Sequence, residues 1–416
     1  MDLYTIVGAI AIVSGFYMAW SIGANDVANA MGTSVGSKAL TLKQAVIVAA
    51  FFEFAGAFLV GSHVTDTIRK GMVDPSVFSN SPEVLMLGML SALLAAAVWL
   101  QAATHWGLPV STTHSIVGAV VGFALVAAGA DGINWSKVWQ IVASWVISPV
   151  MGGVISCTVF IFVRNRILDS SAPIKAVKKN APYLIFVLFA VLTLSMVYKG
   201  LKNMKLDLSL YEALAVAIVV GGISAAIGRI LINRVKSDSL NPLTKELSVV
   251  ESVFRRLQII TACYMAFAHG ANDVANAIGP LAAIFSIIKT HAVSMQVEVP
   301  IWILGLGGVG IVIGLATWGY KIIETVGKKI TELTPSRGFS AEFGAATTVL
   351  VCSKMGMPIS TTHTLVGSII GVGMARGMAS LNMRVVRNIA YSWIITLPVA
   401  AVLSIIFYEI FTITLL

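Results

Sequence analysis

Apolar stretches follow one another through nearly the whole chain, near residues 3–22, 43–62, 84–104, 116–130, 138–163, 183–198, 211–233, 257–269, 300–320, 343–353, 364–375 and 388–416. Crossing a bilayer takes roughly 20 such residues in a helix, and most of these stretches approach that length. Inside lipid every backbone N–H and C=O has to be paired within the protein, so only helices and closed barrels can span it. Strand-type alternation broken about every ten residues is missing, which disfavours a barrel. With 57% hydrophobic and 11% charged residues among 416, and a mean hydropathy of +0.89, the composition lies outside the soluble globular range. The expected fold is an all-α polytopic membrane protein.

Three sequence blocks then recur in order. GANDVANA at 23–30 returns at 270–277, PVSTTH at 109–114 returns as PISTTH at 358–363, and SWVI at 144–147 returns as SWII at 392–395. The offsets are 247, 249 and 248 residues, nearly one value, which marks a duplication. Repeat one is expected over 1–163 and repeat two over 254–416. Residues 164–253 would supply cytoplasmic loops and two connecting transmembrane helices.

Basic residues set the orientation. Arg164, Arg166, Lys175, Lys178 and Lys179, and then Arg229, Arg234, Lys236, Lys245, Arg255 and Arg256, place both polar stretches in the cytoplasm. The connecting helices at 183–198 and 211–233 run out and back between them, at the expense of leaving Lys199, Lys202 and Lys205 outside. Residues 1–23 hold no basic residue, whereas Lys38 and Lys43 follow the first apolar run, so the N-terminus reads as external. The repeats therefore have opposite orientations, a pattern of secondary transporters whose site lies near the midplane. Basic flanks on both sides of PISTTH, with Lys328, Lys329 and Arg337 before and Arg376, Arg384 and Arg387 after, predict a re-entrant hairpin with that motif at its tip. By symmetry PVSTTH tips a second hairpin entering from outside.

Some features carry no function. An apolar run before Ala28-Asn29-Ala30 resembles a signal peptide, but no Lys or Arg precedes it and Ala-Asn-Ala recurs at 275–277, so the segment is expected to stay. Cys157, Cys263 and Cys352 lack metal-binding or CxxC spacing and read as packing residues. The net charge of +9 follows from topology, and no nucleic-acid partner is expected.

The two motifs divide the chemistry. In GANDVANA, Asn25 and Asn29 lie one helical turn apart with Asp26 beside Asn29, and carboxylate, amide and freed carbonyl oxygens suit a hard cation such as Na⁺. A charged carboxylate at mid-bilayer costs about 3 kcal/mol, so two copies of it call for a role. Polar packing between helices is the plainer alternative. In PVSTTH, Pro109 ends one helix and Ser111, Thr112 and Thr113 begin the next, offering amide and hydroxyl donors to an oxyanion; Pro358, Ser360, Thr361 and Thr362 repeat this. Ordinary capping is the alternative here. His114 and His363 follow the hydroxyls and fit a structural hydrogen bond or an anion contact. Lys354 precedes Pro358 near the expected tip and pairs by offset with His105. Glu53, Glu342 and His269 are further intramembrane ionisable residues without a partner nameable from sequence.

At these residues the chain resembles the inorganic phosphate transporter (PiT) family: FAHGANDVANAIGP at 267–280, GLPVSTTHSIVGA at 107–119, MPISTTHTLVG at 357–367 and ITELTPSRGFSAEFGAA at 330–346. The resemblance implies inverted-repeat symport of inorganic phosphate with Na⁺ or H⁺ in the cell membrane, commonly as a homodimer and without a cofactor. It implies cation binding at Asn25, Asp26, Asn272 and Asp273; the oxygen ligands favour Na⁺ at the two aspartates, and the motifs add Asn29, Asn276, His114, His363 and Lys354 as secondary candidates. It implies phosphate binding at Ser111, Thr112, Thr113, Ser360, Thr361 and Thr362. One departure stands out, since His269 in the second copy faces Ile22 in the first. An intramembrane hydrolase is disfavoured because the hydroxyl sets come in equivalent pairs with no strained GxSxG turn. A passive channel fits inverted repeats less well, and sulfate competes with phosphate as the oxyanion.

Overall fold

A computed structural model describes residues 2–60, 73, 75–199, 208–235, 243–293, 299–354 and 359–416. Within them the only β pairing is an isolated bridge between Val73 and Ile133, and the rest is helix and connection. The long helices of the first half are α1 (Leu3–Gly36), α2 (Leu42–Val60), α3 (Pro82–His105), α4 (Thr112–Ala127) and α5 (Trp135–Val163). The connecting pair is α6 (Pro173–Lys199) and α7 (Leu210–Asn233). The second half has α8 (Leu243–Asp273), α9 (Ala275–Thr290), α10 (Ile301–Thr317), the short α11 (Tyr320–Glu324), α12 (Pro335–Lys354), α13 (Thr361–Arg376) and α14 (Met383–Leu415). Among the described residues eight helices are long and apolar enough to cross a bilayer, and α10 with its continuation, bent by 56°, together has the length and composition of a broken span or a re-entrant loop.

Both hairpins form. Val73 bridges Ile133, and the rings of Phe78 and Phe123 lie 6.4 Å apart, so the start of α3 and the end of α4 share one end of the molecule. At the other hairpin the Asn382 amide donates to Ile330 O at 2.9 Å and the Arg376 guanidinium to Glu332 O at 3.0 Å, which closes the base of α12 and α13. The limbs α3 and α12 are longer than their apolar runs at 84–104 and 343–353 imply. Hydropathy undercounts α12 because Ser336, Ser340, Thr347 and Thr348 spend their hydroxyls on the carbonyls or carboxylates of neighbours, which makes a polar-looking segment compatible with burial. Each tip begins a helix with a serine cap, Ser111 Oγ accepting from His114 N and Ser360 Oγ from His363 N, both at 3.2 Å.

The two halves of the chain interlock by exchange. A Cβ on Gly23 of α1 would meet Ile311 O of α10 at 1.9 Å, and one on Gly270 of α8 would meet Glu53 O of α2 at 2.1 Å. Glycine at these positions lets two pairs of helices touch backbone to backbone. The hairpin helices do the same with the opposite repeat, Gly118 of α4 against Leu397 O of α14 and Gly367 of α13 against Pro149 O of α5.

The helices differ from the reading of the sequence at two places. The start of repeat two at 254 falls inside α8, whose first turns carry Glu246, Glu251, Arg255 and Arg256 and therefore look like loop in a hydropathy reading. The first GANDVANA copy lies within the unbroken helix α1, so it supplies no freed carbonyls; only the second copy is interrupted, at Val274 between α8 and α9. Residues 28 and 30 of α1 are alanines of high helix propensity that support continuity.

Candidate functional site

The two octapeptides meet the two hairpin tips in the interior. Asn29 Nδ2 of α1 donates to Thr362 Oγ1 at 2.8 Å and lies 3.5 Å from Thr361 Oγ1, both on the tip of the opposite repeat. Asn276 Nδ2 of α9 repeats this toward the other tip, 3.1 Å from Thr112 Oγ1 and 3.5 Å from Thr113 Oγ1. The hydroxyls in turn donate to the carboxylates, Thr362 to Asp26 Oδ1 at 3.0 Å and Thr361 to Asp273 Oδ2 at 3.1 Å. Asp26, Asp273, Asn29, Asn276, Thr112 and Thr362 are all buried.

His269 joins the two carboxylates. Its Nε2 lies 2.9 Å from Asp273 Oδ2 and 3.7 Å from Asp26 Oδ2, while Nδ1 lies 3.3 Å from Glu53 Oε1. Asp273 sits one turn after His269 on α8, Glu53 comes from α2 and Asp26 from α1, so one imidazole ties three helices. Sequence spacing signals only part of this cluster, the i,i+4 pair His269 and Asp273, and the Ile22-to-His269 departure is a further hint; Glu53 and Asp26 lie far from them in the chain. A second acidic centre surrounds Glu342 of α12, which accepts hydrogen bonds from Thr33, from Ser34 at 3.0 Å, from Thr261 and, at 3.5 Å, from Gln258.

The remaining predicted residues divide by partner. Asn25 holds the connection into the first tip, donating to Thr104 Oγ1 at 2.8 Å and Leu108 O at 3.1 Å and accepting from Val110 N at 3.1 Å. Its amide is thus engaged with protein rather than directed at the carboxylates. Asn272 is half-buried and donates to Asp273 Oδ1 at 2.8 Å. His114 and His363 meet edge to face with centroids 4.5 Å apart, His363 stacked on Trp393 at 3.7 Å and His114 against Trp145 at 4.2 Å. They form an aromatic layer behind the tips. Lys354 ends α12, but its side chain and Pro358 lie outside the described residues; His105, its counterpart by offset, is exposed.

Two kinds of ligand group converge here. Asp26 Oδ2 and Asn29 Oδ1 are buried without a hydrogen-bond donor among the described residues, which leaves oxygen lone pairs suited to a hard cation. The starts of α4 and α13 bring first-turn amides and the positive ends of two helix dipoles to the same place, which suits an oxyanion.

The chain matches the phosphate transporter family over residues 22–404. A relative in Pyrococcus abyssi, under the provisional name of a phosphate permease, is 48% identical over 96% of this chain and 97% of its own length. Inorganic phosphate transporter 2-1, chloroplastic, of Arabidopsis thaliana is 47% identical over 96% of this chain and 71% of its own. A solved structure titled the sodium-dependent phosphate transporter superposes with a TM-score of 0.88 at 44% identity, covering 98% of this chain and all of that one. The site therefore sits in a multi-pass membrane transporter, not an enzyme, and the chain belongs to the phosphate transporter family.

Proposed function

We propose that this phosphate transporter is a Na⁺-coupled symporter that works by alternating access, with Asp26 and Asp273 as the coupling residues. The observation that carries this reading is the meeting of both aspartates with both hydroxyl tips around one buried locus. Adding a phosphate dianion to carboxylates in a low-dielectric interior is strongly repulsive unless cations enter with it. One Na⁺ at each aspartate offsets that charge, and the threonine hydroxyls, now donating to the carboxylates, turn to phosphate. Occlusion is thus favoured only when both cargoes are present, which is coupling expressed as a population shift. Asn272 and the remaining oxygens of Asn29 and Asn276 complete the cation shells, and Ser111, Thr112, Thr113, Ser360, Thr361 and Thr362 hold phosphate. The inverted repeats at 1–163 and 254–416 rock about this point, with 164–253 as connection.

His269 favours a second reading, because an imidazole within reach of three carboxylates is also a proton-binding centre. Proteoliposomes with the Na⁺ and pH gradients imposed separately decide between them. Accumulation of phosphate under the Na⁺ gradient alone, lost in Asp26→Asn and Asp273→Asn, is the expected result. Accumulation under the pH gradient alone would overturn Na⁺ coupling, and undiminished uptake in both variants would remove the aspartates from the mechanism.

A further inference from the structure

A cavity of about 330 Å³ lies away from the transport site, where the connecting helices α6 and α7 meet α8. Its walls are apolar, with Phe189 from α6, Leu231 from α7 and Ile260 from α8, and the small Ser224 leaves it open. One end carries a single charge, Arg256 of α8. That guanidinium is exposed, and among the described residues no carboxylate pairs with it. Its neighbour Arg255 is committed elsewhere, donating to Lys38 O at 2.9 Å.

Depth and surroundings restrict what can fill this cleft. Arg256 precedes Asp273 by 17 residues on the same helix. At a rise of about 1.5 Å per residue that is about 25 Å along the helix, just past the outer edge of the headgroup layer at about 20–22 Å if Asp273 is near the midplane, so the long Arg256 side chain meets the lipid heads from the aqueous side. The charge pattern puts this end on the cytoplasmic side, where the anionic lipids of a membrane concentrate. α7 forms the outer wall and turns an apolar face outward: only 17% of its most apolar window is buried, and Ile223, Ile227 and Ile230 are exposed. An apolar slot open to the acyl layer and closed at headgroup depth by an unpaired cation has the charge pattern of a phospholipid with a negative head. A soluble anion would have no use for the slot, and a zwitterionic lipid would bring its own ammonium toward Arg256.

We propose that this cleft binds an anionic phospholipid of the cytoplasmic leaflet, one acyl chain lying between α6, α7 and α8 and the headgroup phosphate resting against Arg256. The lipid lies on α8, the helix that carries His269 and Asp273, so its occupancy bears on the helix that links the connecting pair to the transport site.

The full-length protein, purified and exposed to equal amounts of phosphatidylglycerol and phosphatidylcholine, tests this by native mass spectrometry of the retained lipids. Selective retention of phosphatidylglycerol is expected, falling about five-fold in Arg256→Gln, since one basic residue near a charged surface accounts for a change of that size. Ser224→Phe, which fills the slot and leaves the cation in place, is expected to release the same lipid. Lys43→Gln, on the same membrane face but outside the cleft, is expected to leave retention unchanged. Equal retention of the two lipids, unaltered retention in Arg256→Gln or Ser224→Phe, or displacement of phosphatidylglycerol by excess inorganic phosphate would each overturn the proposal.

Discussion

Substituting Gly270 by alanine adds one methyl group, and the packing around it converts that methyl into a test of the transport centre. Its Cβ would lie 2.1 Å from Glu53 O and 2.7 Å from the Glu53 carbonyl carbon and Cα, all backbone atoms that cannot rotate away. Ordinary contact starts at 3.4 Å, so α2 has to retreat from α8 by about 1.3 Å. The retreat carries the Glu53 carboxylate off His269 Nδ1, where it now sits at 3.3 Å. Overpacking of this size costs roughly 1–3 kcal/mol, and separating a buried imidazole–carboxylate contact adds to it. Each 1.4 kcal/mol is a factor of about ten in a conformational population. Gly270→Ala is therefore expected to cut phosphate accumulation in proteoliposomes at least about ten-fold and to lower the melting midpoint in detergent. Gly222→Ala, where the added carbon meets nothing within 4 Å, serves as the reference and is expected to match wild type in both measurements. Wild-type uptake and melting in Gly270→Ala would refute the claim that the α2–α8 contact holds Glu53 on His269.

Asn29→Leu and Asn276→Leu each remove an amide that ties an octapeptide to the opposite tip, at about 1–3 kcal/mol per unmet buried partner. Both are expected to raise the KM for phosphate by similar factors of about ten, and a large effect in one alone would argue against paired roles. Ser111→Ala and Ser360→Ala lose a helix cap of about 1 kcal/mol together with a hydroxyl proposed to hold phosphate, so the KM for phosphate is expected to rise in both, and an unchanged KM would remove the serines from the phosphate site. Glu342→Gln leaves donors from Thr33, Ser34, Thr261 and Gln258 facing an amide that supplies only one acceptor oxygen. It is expected to lower thermal stability, measured by loss of monodispersity on heating in detergent, and unchanged stability would show that these donors find other acceptors.

The duplication, the hairpins and the capped tips were legible because each is written in local pattern: repeated blocks, basic flanks, and Pro followed by hydroxyl residues. The His269 cluster was not, since Glu53, Asp26 and Asp273 come together only through the crossings of α1, α2 and α8, and those crossings depend on which glycines meet which backbones. The same limit applies to Glu342, whose partners lie on α1 and α8. Asn25 illustrates a different gap. Its spacing on the helix is right for a shared oxygen face with Asn29, yet its amide is drawn to the carbonyl of Leu108 and the N–H of Val110, groups orphaned by Pro109. The amphipathic start of α8 was hidden because hydropathy measures lipid contact and not helicity.

The backbone contacts that pair Gly23 with Ile311 also pair Gly270 with Glu53, so Glu53 occupies the place that Ile311 holds in the other half. His269 likewise replaces Ile22. A carrier built from two equal and opposed halves has two end states of equal energy, each the image of the other, and in symmetric solutions it divides its time evenly between facing in and facing out. Here one half carries an acid and a base where the other carries two hydrocarbons, and that balance is lost. Under the alternating access proposed above, the empty protein is expected to prefer one facing direction even without any gradient, so that turnover in the two senses starts from unequal populations.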